Sequence, residues 1–221
     1  MSFTQMTYQS ESIIILITWT VLLVLFLLNR YFLKNRFIDQ SLIITISHKK
    51  RQDYRPGTPL TRMGVLFVFL TNITTFFLIF FGSFSPVNNK LLEFLHINFP
   101  SWIRFLASVF FILNSIWGLL ILMFNPNYTP LTKSMGNKFL LATHGPYALI
   151  RHPRYMGEAW LNIILFLFTG IWISLLGILG WVAIYYQAIA EEKLLIILAD
   201  EKYEKYRRQT GMFFPRLRKT I

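Results

Sequence analysis

Apolar positions in this chain gather into long blocks separated by short polar segments. Four stretches carry no Lys, Arg, Asp or Glu: residues 12–29, 63–89, 105–132 and 159–190. In the first, the apolar run from Ile13 to Leu28 lies near the lower limit for a helix that crosses a bilayer, and Tyr31 to Leu33 can extend it. A cleaved signal peptide fits poorly, because Met1 to Ser12 has no Lys or Arg and no small-residue cleavage site follows. Single spanning helices are predicted over about Gly64–Phe81 and Trp102–Phe124. The last stretch is 32 residues long. As one helix it would measure about 48 Å, against a hydrocarbon core of about 30 Å. Two short helices turning near Thr169-Gly170 fit better, the second running past the membrane as Glu191-Glu192-Lys193. The expected fold is therefore an all-α integral membrane protein with five transmembrane helices.

Charge supplies the orientation. Of the 22 basic residues, eight fall between the first two spans (Arg30, Lys34, Arg36, Lys49, Lys50, Arg51, Arg55, Arg62) and four follow the third (Lys133, Lys138, Arg151, Arg154). Eight more lie in the tail from Lys193 to Lys219, which leaves only Lys90 and Arg104. Five spans put all three basic segments on one side; four would put the tail opposite the rest. The positive-inside rule then places the amino terminus outside and the carboxyl terminus in the cytoplasm.

Composition agrees. Hydrophobic residues make up 54% and charged residues 14%, against about 25% charged in soluble domains. The net charge of +12 follows from topology, so it lends no support to nucleic-acid binding. The absence of Cys excludes disulfides, thiolate metal sites and cysteine nucleophiles. His48, His96, His144 and His152 share no ligand spacing, so no metal is expected. Asn72, Asn114 and Asn162 lie inside spans and are expected to hydrogen-bond between helices. There are no repeats, no phosphate-binding glycine loop and no serine-hydrolase elbow. Residues 37–61 read as irregular, with a loop signal at Tyr54–Pro59 and an interfacial apolar piece at Leu42–Ile46.

The remaining polar residues concentrate in the last third, on the cytoplasmic side. Gly145-Pro146 makes a turn, and Pro153 holds His152 out of the α region, so Arg151, His152 and Tyr155 project from a bent start to the fourth span. Glu191-Glu192 directly follows a long apolar helix, where a carboxylate can accept hydrogen bonds from a ligand at the membrane boundary. Tyr203 and Tyr206 share a helix face, Gly211 stops that helix, and Met212–Pro215 folds back on the membrane surface.

Taken in order, Gly145-Pro146-Tyr147, Arg151-His152-Pro153-x-Tyr155-x-Gly157, Glu191-Glu192-x-x-Leu195, Tyr203-x-x-Tyr206 and Thr210–Pro215 resemble the isoprenylcysteine carboxyl methyltransferase and phospholipid methyltransferase superfamily. The resemblance covers roughly residues 125–218; residues 1–124 share only hydrophobic character. Residues 1–124, read from hydropathy as transmembrane helices 1–3, then precede what the resemblance implies over 125–221, a methyltransferase core of helical hairpin and cytoplasmic tail, the two forming one unit. It implies S-adenosyl-L-methionine bound at the cytoplasmic face and a lipophilic small-molecule acceptor arriving from among the membrane lipids. Carried over, cofactor contacts come from Phe139, Leu140, Leu141 and Ala142 (largely backbone), Tyr147, His152, Pro153, Arg154, Tyr155 and Glu191, with Arg151 and Glu191 as the catalytic pair. Two features depart from it. Gln187 stands where the prenylcysteine enzymes carry an Arg, which argues against a carboxylate acceptor. Gly157-Glu158 after the Arg-His-Pro piece also resembles membrane sterol reductases that use NADPH, the alternative reading. A third is a membrane scaffold without catalysis.

Overall fold

The computed structural model describes residues 3–32, 42–45, 57–84, 90–125 and 138–216. Within them lie α1 (Phe3–Phe32), β1 (Leu42–Thr45), α2 (Pro59–Phe84), α3 (Lys90–Leu95), α4 (Ser101–Phe124), β2 (Lys138–Leu141), α5 (Pro146–Leu149), α6 (Pro153–Thr169), a 3-10 helix (Trp172–Gly180) and α7 (Trp181–Gln209). Four helical stretches are long and apolar enough to cross a membrane: Tyr8–Asn29, Pro59–Phe84, Ser101–Phe124 and Trp172–Gln209. Their outward side chains are apolar, with Leu23 57%, Phe77 65%, Phe105 67% and Leu179 73% exposed, a surface suited to lipid rather than water.

The expected turn in the 159–190 stretch is present. α6 ends at Thr169, and Gly170 adopts a left-handed conformation (φ 74°) that a side chain would oppose. At 17 residues, α6 spans only about 25 Å and is not among the four long apolar helices. The 3-10 helix that follows packs closely on α2. A Cβ on Gly180 would lie 2.5 Å from Val68 Cγ2, and one on Gly64 would lie 2.1 Å from Ala183 Cβ. Small residues let these backbones approach in the manner of membrane helix pairs.

The fold is all-helical as expected apart from one short ladder, in which Leu42–Thr45 pairs antiparallel with Lys138–Leu141, Leu42 opposite Leu141 and Thr45 opposite Lys138. The expectation that residues 37–61 are irregular is corrected at two places. Leu42–Thr45 is a strand, its backbone groups bonding to a second segment 96 residues away. The irregular segment also ends sooner than expected, at the start of α2. Thr58 caps α2 by accepting a hydrogen bond from Thr61 N at 3.2 Å, and Pro59 occupies the first helical position, where its missing N–H costs nothing.

The long helices alternate in direction, so the ends of the bundle differ. At one end Arg104 of α4 forms a buried ion pair with Glu11 of α1 and donates through Nε to Phe168 O of α6 at 3.4 Å. The same end is closed by α3, with Ile97 N donating to Gly170 O at 2.8 Å. Between the ends, Tyr8, Ile15, Ile79, Phe111, Leu165 and Phe168 form the main core. Asn162 donates to Asn72 Oδ1 at 2.7 Å and Thr71 Oγ1 at 3.3 Å, the interhelical bonding expected of two of the three Asn residues. At the other end the starts of α2 and α6 meet the end of α4 and the middle of α7. The segments of the resemblance converge there.

Candidate functional site

The site is built from backbone turns first. Gly145 (φ 60°) precedes Pro146 at the start of α5, and a Cβ on Gly145 would sit 2.6 Å from the Phe124 ring. Only glycine allows this approach. Tyr147 on α5 accepts a hydrogen bond at its hydroxyl from Asn125 Nδ2 at 2.8 Å, and its carbonyl accepts one from Tyr206 OH at 2.6 Å. Ile150 then bridges Gly211 in parallel, with Arg151 N donating to Gly211 O at 2.9 Å and His152 N to Met212 O at 3.1 Å. The tail is thereby stitched beside the Arg-His-Pro segment, 60 residues earlier in the chain. Pro153 opens α6, and His152 at its cap has φ −119°, ψ 57°: outside the α region, as Pro153 requires, though short of fully extended.

On this frame stands a buried ionic cluster. Arg151 grips Glu192 with both arms of its guanidinium, Nε to Oε1 at 2.7 Å and Nη2 to Oε2 at 3.3 Å. Its Nη1 donates to Arg207 O at 3.1 Å and also to Thr210 O, capping carbonyls at the end of α7. His152 Nε2 lies 3.2 Å from Glu192 Oε1. Arg151 and Glu192 are nearly removed from solvent, with side chains 10% and 8% exposed. Burial by itself pushes the Glu192 carboxyl up, but the hydrogen bonds from His152 and Arg151 outweigh it and hold the group below the ordinary carboxylate range.

Glu191 faces a different set of partners. Tyr155 OH donates to its Oε1 at 2.5 Å, and Gln187 Nε2 reaches the same oxygen at 3.3 Å. The Gln187 carbonyl accepts from Thr61 Oγ1 of α2 at 3.0 Å. A Cβ on Gly57, which has φ +78°, would lie 2.0 Å from Gln187 Oε1. Glu191 stays more open, its side chain 22% exposed, with Oε2 at 3.8 Å from His152 Nδ1. The His152 ring stacks on Tyr155 at 5.8 Å and meets Phe213 at the same distance, so aromatic faces flank the two acids.

Of the residues singled out in the sequence, Arg151, His152, Tyr155 and Glu191 come together here, with Tyr147 close behind through Tyr206. Leu141 and Ala142 are each 5% exposed, and Leu141 packs with Tyr203 and Tyr206; the side chains of Phe139 and Leu140 fall outside the described residues, as does His48. Pro153 contributes its carbonyl to Trp117 Nε1 at 3.1 Å. Arg154 points elsewhere, its guanidinium 5.2 Å from the Phe69 ring centroid on α2. The pairing of Glu192 with Arg151, of Thr61 with Gln187 and of Phe213 with His152 carried no signal in the sequence. The Tyr203 hydroxyl is buried with no hydrogen-bond partner, although Tyr203 and Tyr206 do share a face, their rings 5.9 Å apart. Among the described residues no three His, Cys, Asp or Glu side chains are grouped to hold a metal. No protein-family model matches the chain, and comparison with curated proteins finds no match either.

Proposed function

We propose that this protein is a membrane methyltransferase that moves the methyl group of S-adenosyl-L-methionine to a lipophilic acceptor at the cytoplasmic face. One observation carries the reading. Five sequence pieces that resemble the methyltransferase superfamily, scattered over residues 145–215, meet in space at one end of the bundle, with an accessible carboxylate flanked by aromatic rings. The chain's own groups suit the cofactor. Glu191 offers a carboxylate for the ribose hydroxyls or the ammonium, and His152, Tyr155 and Phe213 offer ring faces. Backbone of Phe139–Ala142, together with Tyr147, adds polar contacts.

Held by Tyr147, His152, Tyr155 and Glu191, the cofactor would supply an electrophilic methyl on a sulfonium to the acceptor's nucleophilic atom, the carbon–sulfur bond breaking as the new bond forms. What the protein contributes is alignment and exclusion of water. In this reading Arg151 is a positioning residue, since its donors are taken up by Glu192 and two carbonyls. Glu158, on which the reductase resemblance rests, hydrogen-bonds with Asn72 Nδ2 at 3.4 Å inside the bundle and lends that alternative no support. Calorimetric titration of the purified protein should show binding of S-adenosylhomocysteine and not of NADPH. Binding of NADPH alone would overturn the proposal, and binding of neither would leave the scaffold reading.

Five crossings follow, with α6 as the fourth. The end holding Arg62, Arg151, Arg154 and α7's basic tail faces the cytoplasm; the end holding Lys90 and Arg104 faces out. Cysteines placed at Asn88 or Asn89 should react with an impermeant maleimide from outside, while ones at Ser134 or Thr220 should not. All four positions lie outside the described residues. External labelling at Thr220 would leave no cytoplasmic pocket.

The acceptor is proposed to be neutral or to bear a thiol or amine. Gln187 is tied to Thr61 and Glu191, Arg151 to Glu192, and Arg154 lies against Phe69, so none of these supplies a cation for an acceptor carboxylate. An unpaired anion held out of water would be costly. Radiolabelled methyl transfer should therefore favour extracted lipids or small amphiphilic thiols and amines over a farnesyl-cysteine analogue. Efficient turnover of the analogue would refute this.

A further inference from the structure

A cleft of about 440 Å³ opens between the end of α7 and the tail. Its wall includes Arg151, Glu192, Arg207, Thr210, Phe214 and Arg216. None of the residues proposed to hold the cofactor lines it. It shares Arg151 and Glu192 with the cluster described above, together with Arg207 and Thr210, whose carbonyls Arg151 caps.

The charges of the cleft do not balance. On its inner side Arg151 and Glu192 neutralise one another, and both Glu192 oxygens are engaged. On its outer side stand Arg207 and Arg216, with no carboxylate besides Glu192 in the wall among the described residues. Arg207 has one acidic neighbour, Glu204, at 3.3 Å, but both side chains are substantially solvated at 42% and 31% exposed. Such a pair is held weakly and exchanges readily. Arg216 Nη1 donates to Arg208 O at 2.6 Å, which fixes the guanidinium at the rim. Two guanidinium forks at one mouth suit an anion with several oxygens, since each fork can make two parallel bonds to a phosphate. The remaining lip is apolar. Phe214 is 68% exposed, in the tail that carries eight of the 22 basic residues.

We propose that this cleft is a binding site for a phosphate-bearing anion, read by Arg207 and Arg216. An anionic phospholipid headgroup and a soluble phosphate compound share that chemistry. The apolar lip beside the rim, and the attraction of basic juxtamembrane segments to anionic lipid, make the lipid the expected source. The inference stands apart from methyl transfer, because the cleft and the proposed cofactor contacts use different side chains.

The test uses the full chain in an uncharged detergent, titrated separately with inorganic phosphate, short-chain phosphatidic acid and short-chain phosphatidylcholine. The variant R207Q/R216Q changes solvated side chains and should melt as the unmodified protein does. Phosphatidic acid should bind more tightly than phosphatidylcholine and weaken as ionic strength rises. The double variant should lose about tenfold or more in affinity, the scale of one charge-assisted contact. If phosphatidic acid binds more tightly than inorganic phosphate, and Phe214→Ser removes the difference, the ligand is a lipid. Equal binding of the two, still lost in R207Q/R216Q, assigns the site to a soluble phosphate. No binding of either, or binding unchanged in the double variant, overturns the proposal. S-adenosylhomocysteine titrated against the same variant tests the methyltransferase reading separately and should be unaffected.

Discussion

Arg151→Ala is expected to lower stability by about 3–5 kcal/mol, the usual cost of removing one partner from a buried ion pair. The loss is twofold. Glu192 would be left as a carboxylate 8% exposed with only His152 in reach, and the carbonyls of Arg207 and Thr210 at the end of α7 would lose their donor. Because those carbonyls anchor the tail beside the Arg-His-Pro segment, the damage should spread through that end of the bundle. Thermal unfolding in detergent measures it. The double variant R151M/E192M should melt above R151A, since it buries no orphaned charge. If R151A unfolded like the unmodified protein, the pair would contribute nothing. A pH dependence accompanies the pair. A carboxyl held low in the folded chain contributes its full stability above its ordinary value of 4.5 and loses it as pH falls through the folded value. Melting temperature should therefore drop on acidification below the ordinary carboxylate range, and R151A should flatten that drop.

The helical hairpin was legible because two constraints agree on it: a bilayer's thickness rejects a single helix of 32 uncharged residues, and Gly170 offers a left-handed stop near the middle. The ladder between Leu42–Thr45 and Lys138–Leu141 was not. Four-residue strands have too short a pattern to separate from an interfacial apolar run, and their partnership is set by tertiary proximity. The site shows the same division. Its residues could be gathered from motif order alone, but the identity of each carboxylate's partner could not. Adjacent helix residues point about 100° apart, so the rotational setting of α7 decides whether Glu191 or Glu192 meets Arg151. That setting depends on tertiary packing, including the close approach of Gly64 to Ala183, which no local reading of Glu191-Glu192 reveals. Arg151 itself looked available for a ligand because its acidic partner lies 41 residues on.

Glu191→Gln should weaken binding of S-adenosylhomocysteine by about 1.5–3 kcal/mol, or roughly 10- to 150-fold, the scale of a hydrogen bond to a charged group. Glutamine keeps the side chain's size and a carbonyl oxygen that can still accept from Tyr155 OH, now 2.5 Å from the carboxylate. Folding should therefore survive, and what disappears is the negative charge and one acceptor position. Glu192→Gln should behave in the opposite sense. That carboxylate is consumed by Arg151 and His152, so its loss should lower the melting temperature, with cofactor affinity falling only as far as the fold loosens. Measuring melting and titration on both variants separates the two acids: binding lost without stability at Glu191, stability lost first at Glu192. If Glu191→Gln left both quantities unchanged, Glu191 would be a solvated helix residue held by Tyr155, and the cofactor proposal would lose its central contact.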